Sequence, residues 1–456
     1  LISPEELLKN SKLTFEFPPT LEINDGAVTL SSVDFSARVA RWVRYFRDNE
    51  YYRAGVIVNF EHWTTDVLAC YMGLIFSSTP YYALNTTTMR EASLGALYDR
   101  GVRELIYLAK PYNHYPQEHL ELFWEIGFNT DNFLTIDPGF SDEFTWTIDL
   151  DAANFYCFTS GTTGEPKLIQ HTHHSVFWAA ANAAHMYYSS DDRVLLNSLP
   201  NHIGVMTMAV LSPLLAGAHV VLGNISDPDI IPKYNYCNKT LLFYYQLLND
   251  RLDAVEFGHY NLIITGGEAI RQDFLDRIFA RGVKRVVSVY GLTEAMPPVA
   301  SQWFNEPALT YDLGNFTAGI AVNVHEDVLL LKGPNSYTWP EWLRTGDLVE
   351  SRNSRVYFKT REVNSVRRGG ELINVDRLKE CCESWGLRNF VLRTGEPDRI
   401  SAHAELETQI ILLVDQLIDL HSLNKHVVEQ LGENYRITIQ QQADVTRNDI
   451  YKATRL

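Results

Sequence analysis

The chain has 456 residues, of which 46% are hydrophobic and 21% charged, a profile that excludes a disordered polar chain and suits two or three domains better than one core. Its formal charge of -17 at pH 7 argues against nucleic acid as a partner, because backbone phosphates are bound by clustered Lys and Arg. The five cysteines, Cys70, Cys157, Cys237, Cys381 and Cys382, are odd in number and scattered, which suggests a reducing cytoplasm and not a disulfide framework.

The opening LISPEELLKNSKL has no basic segment followed by an apolar run, so no signal peptide is expected. Short β-branched runs then alternate with helical patterns: GVIVNF, the apolar-periodic TDVLACYMGLIF, and ELIYLAK. Residues 203–225 are long and apolar enough to raise the question of a membrane span. Pro213, Gly217 and Gly223 interrupt them and HVVLG reads as a strand, so a buried helix, turn and strand is expected instead. LIITGG, DFLDRIFARG and RVVSVYG continue the strand–helix–strand alternation, and no internal repeat is visible. Beyond about residue 325 the texture changes: VLLLKG and RVYFK read as strands, QIILLVDQLIDLHSLNKHVVEQL as helix and YRITIQ as strand. The expected fold is α/β, with a large N-terminal domain of parallel-rich sheets and flanking helices over residues 1–359. A small, mobile α+β domain over residues 360–456 follows, joined near residues 359–363.

The segment FYCFTSGTTGEPKLIQHTH runs from an apolar strand into Thr159, Ser160, Gly161, Thr162, Thr163 and Gly164, then Lys167. Small hydroxyl and glycine residues let backbone N–H and side-chain O–H groups surround phosphate oxygens, with a lysine for charge. It is not a Walker A loop, since Lys167 follows Pro166; taken alone, it could also be a surface turn. The whole string resembles the signature of the adenylate-forming superfamily: acyl-CoA synthetases, luciferases and peptide-synthetase adenylation domains. The resemblance extends through SLPNHIGVMTMAVLSPLLAGAHVVL, ITGGEAI, VYGLTEA and WLRTGDL, in the family's order, and covers roughly residues 60–456.

That resemblance implies an ATP-dependent ligase that forms an acyl-AMP from a carboxylic acid and passes the acyl group to a thiol, either CoA or the phosphopantetheine arm of an acyl carrier protein. It assigns ATP to the 159–167 loop with Gly267, Glu268, Tyr290, Asp347 and Arg361, and the acid to a pocket walled by His202, Gly266 and Gly291. Glu294, after a strand and tight turn, offers a hard oxygen ligand for Mg2+ bridging phosphates, where the alternative is a solvated glutamate. Asp347 can accept two hydrogen bonds from a ribose diol or, in an isolated TGD, close an Asx-turn. Tyr290 offers a flat face for adenine or serves as an ordinary core aromatic, and Thr293 places a hydroxyl near the α-phosphate.

Near the junction, Arg361 and Gly370 match the family's hinge segment, while Thr360, Val363 and Val375 stand where it has glycine, an acid and proline. DVTRNDIYKATRL resembles the terminal catalytic-lysine motif, with Lys452 aligned and Tyr451 in place of glycine. The resemblance further implies that the small domain rotates between half-reactions, withdrawing Lys452 and presenting residues 367–370 to the pantetheine. Peptide-synthetase domains selecting α-amino acids carry FDxS near the His202 segment; NHIG here disfavours a free α-amino acid. His171, His173 and His174 lack a cysteine or acidic partner at zinc-ligand spacing, and Cys157 is expected as a small buried strand residue.

Overall fold

The computed structural model describes residues 2–51, 54–57, 63–84, 91–107, 117–132, 136–139, 141–142, 144–159, 167–198, 203–223, 237–243, 257–267, 270, 272–310, 312–361, 365–368, 371–387, 390–395, 409–414, 417–432 and 435–442. Two sheets dominate. The larger orders its nine strands Asn315–Phe316, Ala295–Phe304, Val286–Leu292, Leu262–Gly266, Lys239–Phe243, Arg193–Leu196, His219–Leu222, Glu22–Asn24 and Thr29–Ser31. From Val286–Leu292 to Glu22–Asn24 every neighbouring pair is parallel. The second sheet has six strands, ordered Lys167–Thr172, Ala153–Thr159, Tyr81–Leu84, Ala54–Ile57, Glu104–Tyr107 and Asn129–Asn132. Its pairs are parallel except the first, which is antiparallel.

Burial explains why these runs are strands. Leu262–Gly266 is buried at every position, as befits a central parallel strand covered on both faces. Leu262 and Ile264 enter the main apolar cluster, whereas Ile263 points the other way, to Phe274, Leu275 and Ile278 of the helix Gln272–Ala280. The main cluster draws Tyr81, Phe155 and Ile169 from the six-stranded sheet and Val220, Leu241 and Ile264 from the nine-stranded one, so a single core joins both sheets. The helices Thr65–Phe76 and His173–Tyr187 contribute to it and are buried almost all round, with Thr64 and Thr172 capping their first turns.

Within the apolar run, the described residues 203–223 behave as expected: Val205–Leu211, wound in π-type turns, runs into the helix Ser212–Ala216, and His219–Leu222 is a strand. Gly217 ends the helix at φ 70°, and a Cβ there would lie 2.3 Å from the Thr20 hydroxyl oxygen. Among the described residues no helix is long and apolar enough to cross a membrane. All five cysteines are free and buried.

Residues 321–361 form a four-stranded antiparallel sheet from Ala321–His325, Val328–Lys332, Leu343–Arg352 and Arg355–Arg361. The helix expected from QIILLVDQLIDLHSLNKHVVEQL is met only over Leu420–Leu431. Gln409–Val414 is instead a strand, antiparallel to Phe390–Gly395 and parallel to Ile439–Gln442. A short apolar run fits either element by periodicity, and here the sheet pairing decides. These strands pack with Val375–Ser384 and Leu420–Leu431 around an apolar cluster that includes Leu378, Leu412, Val427 and Ile437.

Candidate active site

In open parallel sheets, ligands bind beyond the carboxyl ends of the strands, and many of the expected site residues fall there. Ala153–Thr159 leads into residues 160–166, and the chain returns as Lys167–Thr172 with Lys167 paired to Thr159. Ser160, Gly161, Thr162, Thr163 and Gly164 lie outside the described residues, as do His202, Glu268, Gly370 and Lys452. Thr159 and Arg361 are placed by their backbones, Arg361 opposite Asp347 in the antiparallel pair. In the neighbouring sheet Gly266 ends its strand so close to the next that a Cβ would sit 2.6 Å from the Val289 carbonyl oxygen. Gly267 follows at φ 89°. Val286–Leu292 brings Tyr290 and Gly291 to the same end and turns over Thr293 and Glu294 into Ala295–Phe304, Leu292 pairing with Ala295 across the turn.

Three hydrogen bonds fasten that turn to the strand leaving the loop, although the two belong to different sheets. His171 Nε2 lies 2.7 Å from the Thr293 carbonyl oxygen. The Tyr337 N–H donates to the Glu294 carbonyl at 3.0 Å, and the Lys167 ammonium donates to the Tyr337 phenol at 2.6 Å. Lys167, Thr293 and Glu294 are thus brought together around Tyr337. The half-buried Glu294 carboxylate has no hydrogen-bond or ion-pair partner among the described residues. A second meeting joins Tyr290, whose phenol donates to Asp347 Oδ2 at 2.5 Å; Asp347 is 1% exposed. The TGD segment lies inside the strand Leu343–Arg352 and is held by Thr345, whose hydroxyl oxygen accepts from the Asp347 N–H at 3.0 Å and whose hydroxyl donates to the Leu329 carbonyl at 2.8 Å.

The three clustered histidines diverge. His174 Nε2 lies 3.0 Å from the Leu7 carbonyl oxygen, whereas His173 is fully buried with neither ring nitrogen hydrogen-bonded. Burial pushes His173 down to about 3, against the opposing charge of Asp149, and pushes His171 down to about 4, against its bond to Thr293. Cys157 sits in its strand as expected, and burial first, then the Glu294 charge, raises its thiol well above the ordinary value. Both imidazoles are neutral when folded, so below their unfolded value of about 6.5 the unfolded chain binds more protons than the native one. Their contribution is complete above that pH and is lost as the pH falls toward 4. His173→Phe, which supplies a ring that cannot charge beside Phe177, is expected to flatten the fall in unfolding free energy between pH 6.5 and 4 by about 1.4 kcal/mol per pH unit. Denaturant unfolding of both proteins across that range is the measurement; parallel curves would contradict it.

Tyr337 carries no motif that marks it in the sequence, and His171 stands out there only as part of HTHH. Their sequence separations from their partners, 170 residues for Lys167–Tyr337 and 122 for His171–Thr293, leave no local pattern to read.

Known proteins share this fold. Feruloyl-CoA synthase from Amycolatopsis sp is 29% identical over 160 residues, covering 33% of this chain and 32% of that protein, so the chain spans about a third of the length of such a curated relative. A double mutant of o-succinylbenzoate CoA synthetase from Bacillus subtilis, solved with a product analogue, shares the fold with a TM-score of 0.76 at 16% identity, over 96% of this chain and 98% of that one. An amide bond synthetase from Marinactinospora thermotolerans superposes with a TM-score of 0.74 at 15% identity, over 99% of both chains. The family model for AMP-binding enzymes matches residues 17–331, well over half of the chain and the part that holds both sheets and the Thr293–Glu294 turn, and the chain therefore belongs to the AMP-binding enzyme family.

Proposed function

We propose that the protein is an ATP-dependent ligase that converts a carboxylic acid to its acyl-AMP with release of pyrophosphate and then transfers the acyl group to a thiol, CoA in the first instance. The observation that carries this reading is the convergence of Lys167, Thr293 and Glu294 at the strand ends of two sheets, beside the Tyr290–Asp347 pair. The acid is already ionised at pH 7, so the first step needs no base; its barrier is the approach of one anion to another. Lys167 brings positive charge to the end of the phosphate loop, and the Thr293 hydroxyl is available to the α-phosphate. The buried Asp347 carboxylate accepts from the ribose hydroxyls while Tyr290 fixes its orientation. Glu294 suits a magnesium ion, being a hard oxygen donor that no described side chain engages; when bound, such an ion supplies charge neutralisation at the phosphate oxygens.

Lys452 serves as the mobile cation of the first step, and residues 360–456 form the domain that carries it, hinged near Arg361. The acid is aryl or of medium chain length, in keeping with a feruloyl-activating relative and with NHIG in place of FDxS. Exchange of labelled pyrophosphate into ATP across a panel of aryl and aliphatic acids is the test. Acid-dependent exchange, followed by a thioester when CoA is added, is expected. MgATP binding without exchange for any acid would overturn the reading in favour of a non-catalytic nucleotide-binding protein.

A further inference from the structure

We propose that His171 and Tyr337 are positioning residues that lock the Thr293–Glu294 turn to the strand bearing Lys167, so that the loop cation and the Glu294 carboxylate are set as one unit; this rests on the ligase reading above. The turn has two residues, and both of its carbonyls are taken up from outside the hairpin. Thr293 gives its carbonyl to His171 and Glu294 to the Tyr337 N–H. The grip on Glu294 extends along the chain: Ala295 bridges Ser336, the Met296 N–H donates to the Asn335 carbonyl, and Asn335 Nδ2 donates to the Met296 carbonyl at 2.8 Å. Residues 335–337 thus lie as a strap along the hairpin, which fixes the Tyr337 backbone relative to Glu294, and the Tyr337 phenol then holds Lys167 at 2.6 Å.

The chemistry of His171 fits this role better than that of a core filler. A carbonyl can only accept, so Nε2 carries the hydrogen, and Nδ1 has no hydrogen-bond partner. An imidazole buried to 0% exposure has one hydrogen bond, and that bond reaches across to the turn. An apolar side chain would spare the strand the desolvation of two ring nitrogens but would leave the Thr293 carbonyl without this donor. Because the buried ring stays neutral, it grips the turn without adding a positive charge that would compete with a cation at Glu294.

Three variants test this: His171→Leu, His171→Gln and Tyr337→Phe. Thermal unfolding is measured for each, and ATP binding is followed by calorimetry over a series of Mg2+ concentrations, which needs neither the acid nor turnover. In His171→Leu the Mg2+ concentration giving half-maximal ATP binding should rise about 10-fold, the scale for losing a residue that orients a metal ligand. His171→Gln, whose amide can reach the same carbonyl, should recover most of the shift. Tyr337→Phe keeps the ring, over which Lys167 lies, and the main-chain N–H, and loses only the hydrogen bond from Lys167 to the phenol, so it should weaken ATP binding roughly fivefold at saturating Mg2+, the scale of one hydrogen bond. An unchanged Mg2+ midpoint in a folded His171→Leu, or equal shifts in the Leu and Gln variants, overturns the His171 role. Unchanged ATP affinity in Tyr337→Phe overturns the Lys167 link, and that variant decides alone if His171→Leu does not fold. Wild-type protein that binds no ATP at any Mg2+ concentration overturns the ligase reading, and the clamp with it.

Discussion

Glu294→Gln is expected to lower acid-dependent pyrophosphate exchange by roughly 10²-fold or more while leaving the fold intact, the scale seen when one preorganised electrostatic contact is removed. The substitution is nearly isosteric, and the carboxylate has no hydrogen-bond or ion-pair partner among the described residues, so the folded protein gives up no contact of that kind. Stability should therefore change by no more than about 0.5 kcal/mol. What is lost is a formal negative charge on a turn whose backbone is held at both carbonyls, so neighbouring groups cannot readily move in to replace it. The exchange rate, its Mg2+ dependence and the thermal unfolding of the same preparation are the measurements. A variant with wild-type exchange and wild-type Mg2+ dependence would remove Glu294 from the reaction and leave it a solvated turn residue.

Turn chemistry and strand patterning made much of this architecture readable from the amino-acid order. Pro213, Gly217 and Gly223 turned a membrane-like run into helix, turn and strand because glycine at φ 70° stops a helix where another residue would continue it. Leu262–Gly266, Gln272–Ala280 and Val286–Leu292 lie where LIITGG, DFLDRIFARG and RVVSVYG suggested strand, helix and strand. QIILLV misleads because its five consecutive apolar residues without alternation suit a helix as well as a buried strand, and its partners Phe390–Gly395 and Ile439–Gln442 are not marked by any local signal.

The candidate site divides along the same line. Lys167, Gly266, Gly267, Tyr290, Gly291, Thr293, Glu294 and Asp347 stand out as candidates because each sits in a short motif, at or near a strand end for all but Asp347, which lies within Leu343–Arg352. The meeting of Tyr290 with Asp347, 57 residues apart, is not encoded in either motif. His171 and Tyr337 were illegible for a stronger reason: their parts are defined by carbonyls and an ammonium contributed from across the fold, so no spacing along the chain encodes them. Contacts within a motif can be read along the chain, whereas contacts such as His171–Thr293 and Lys167–Tyr337 are visible only once the sheets are packed.

The second large effect is expected at Lys452, which lies outside the described residues and whose assignment rests on the match of DVTRNDIYKATRL to the family's terminal motif. Lys167 has the Tyr337 phenol as a neighbour at 2.6 Å, and Lys452 would supply a second cation for the reacting oxygens. If Lys452 is that cation, Lys452→Ala should slow acyl-AMP formation by roughly 10²-fold or more. Thioester formation from preformed acyl-AMP should be affected far less, because that step needs no charge neutralisation at a pyrophosphate leaving group. The two half-reactions are measured separately, by pyrophosphate exchange and by supplying the acyl-AMP with CoA. Deleting residues 452–456 should reproduce the alanine phenotype in exchange. Full exchange activity in the deletion would show that this lysine takes no part and that the first step draws its charge from cations already in the large domain, with Lys167 the foremost candidate.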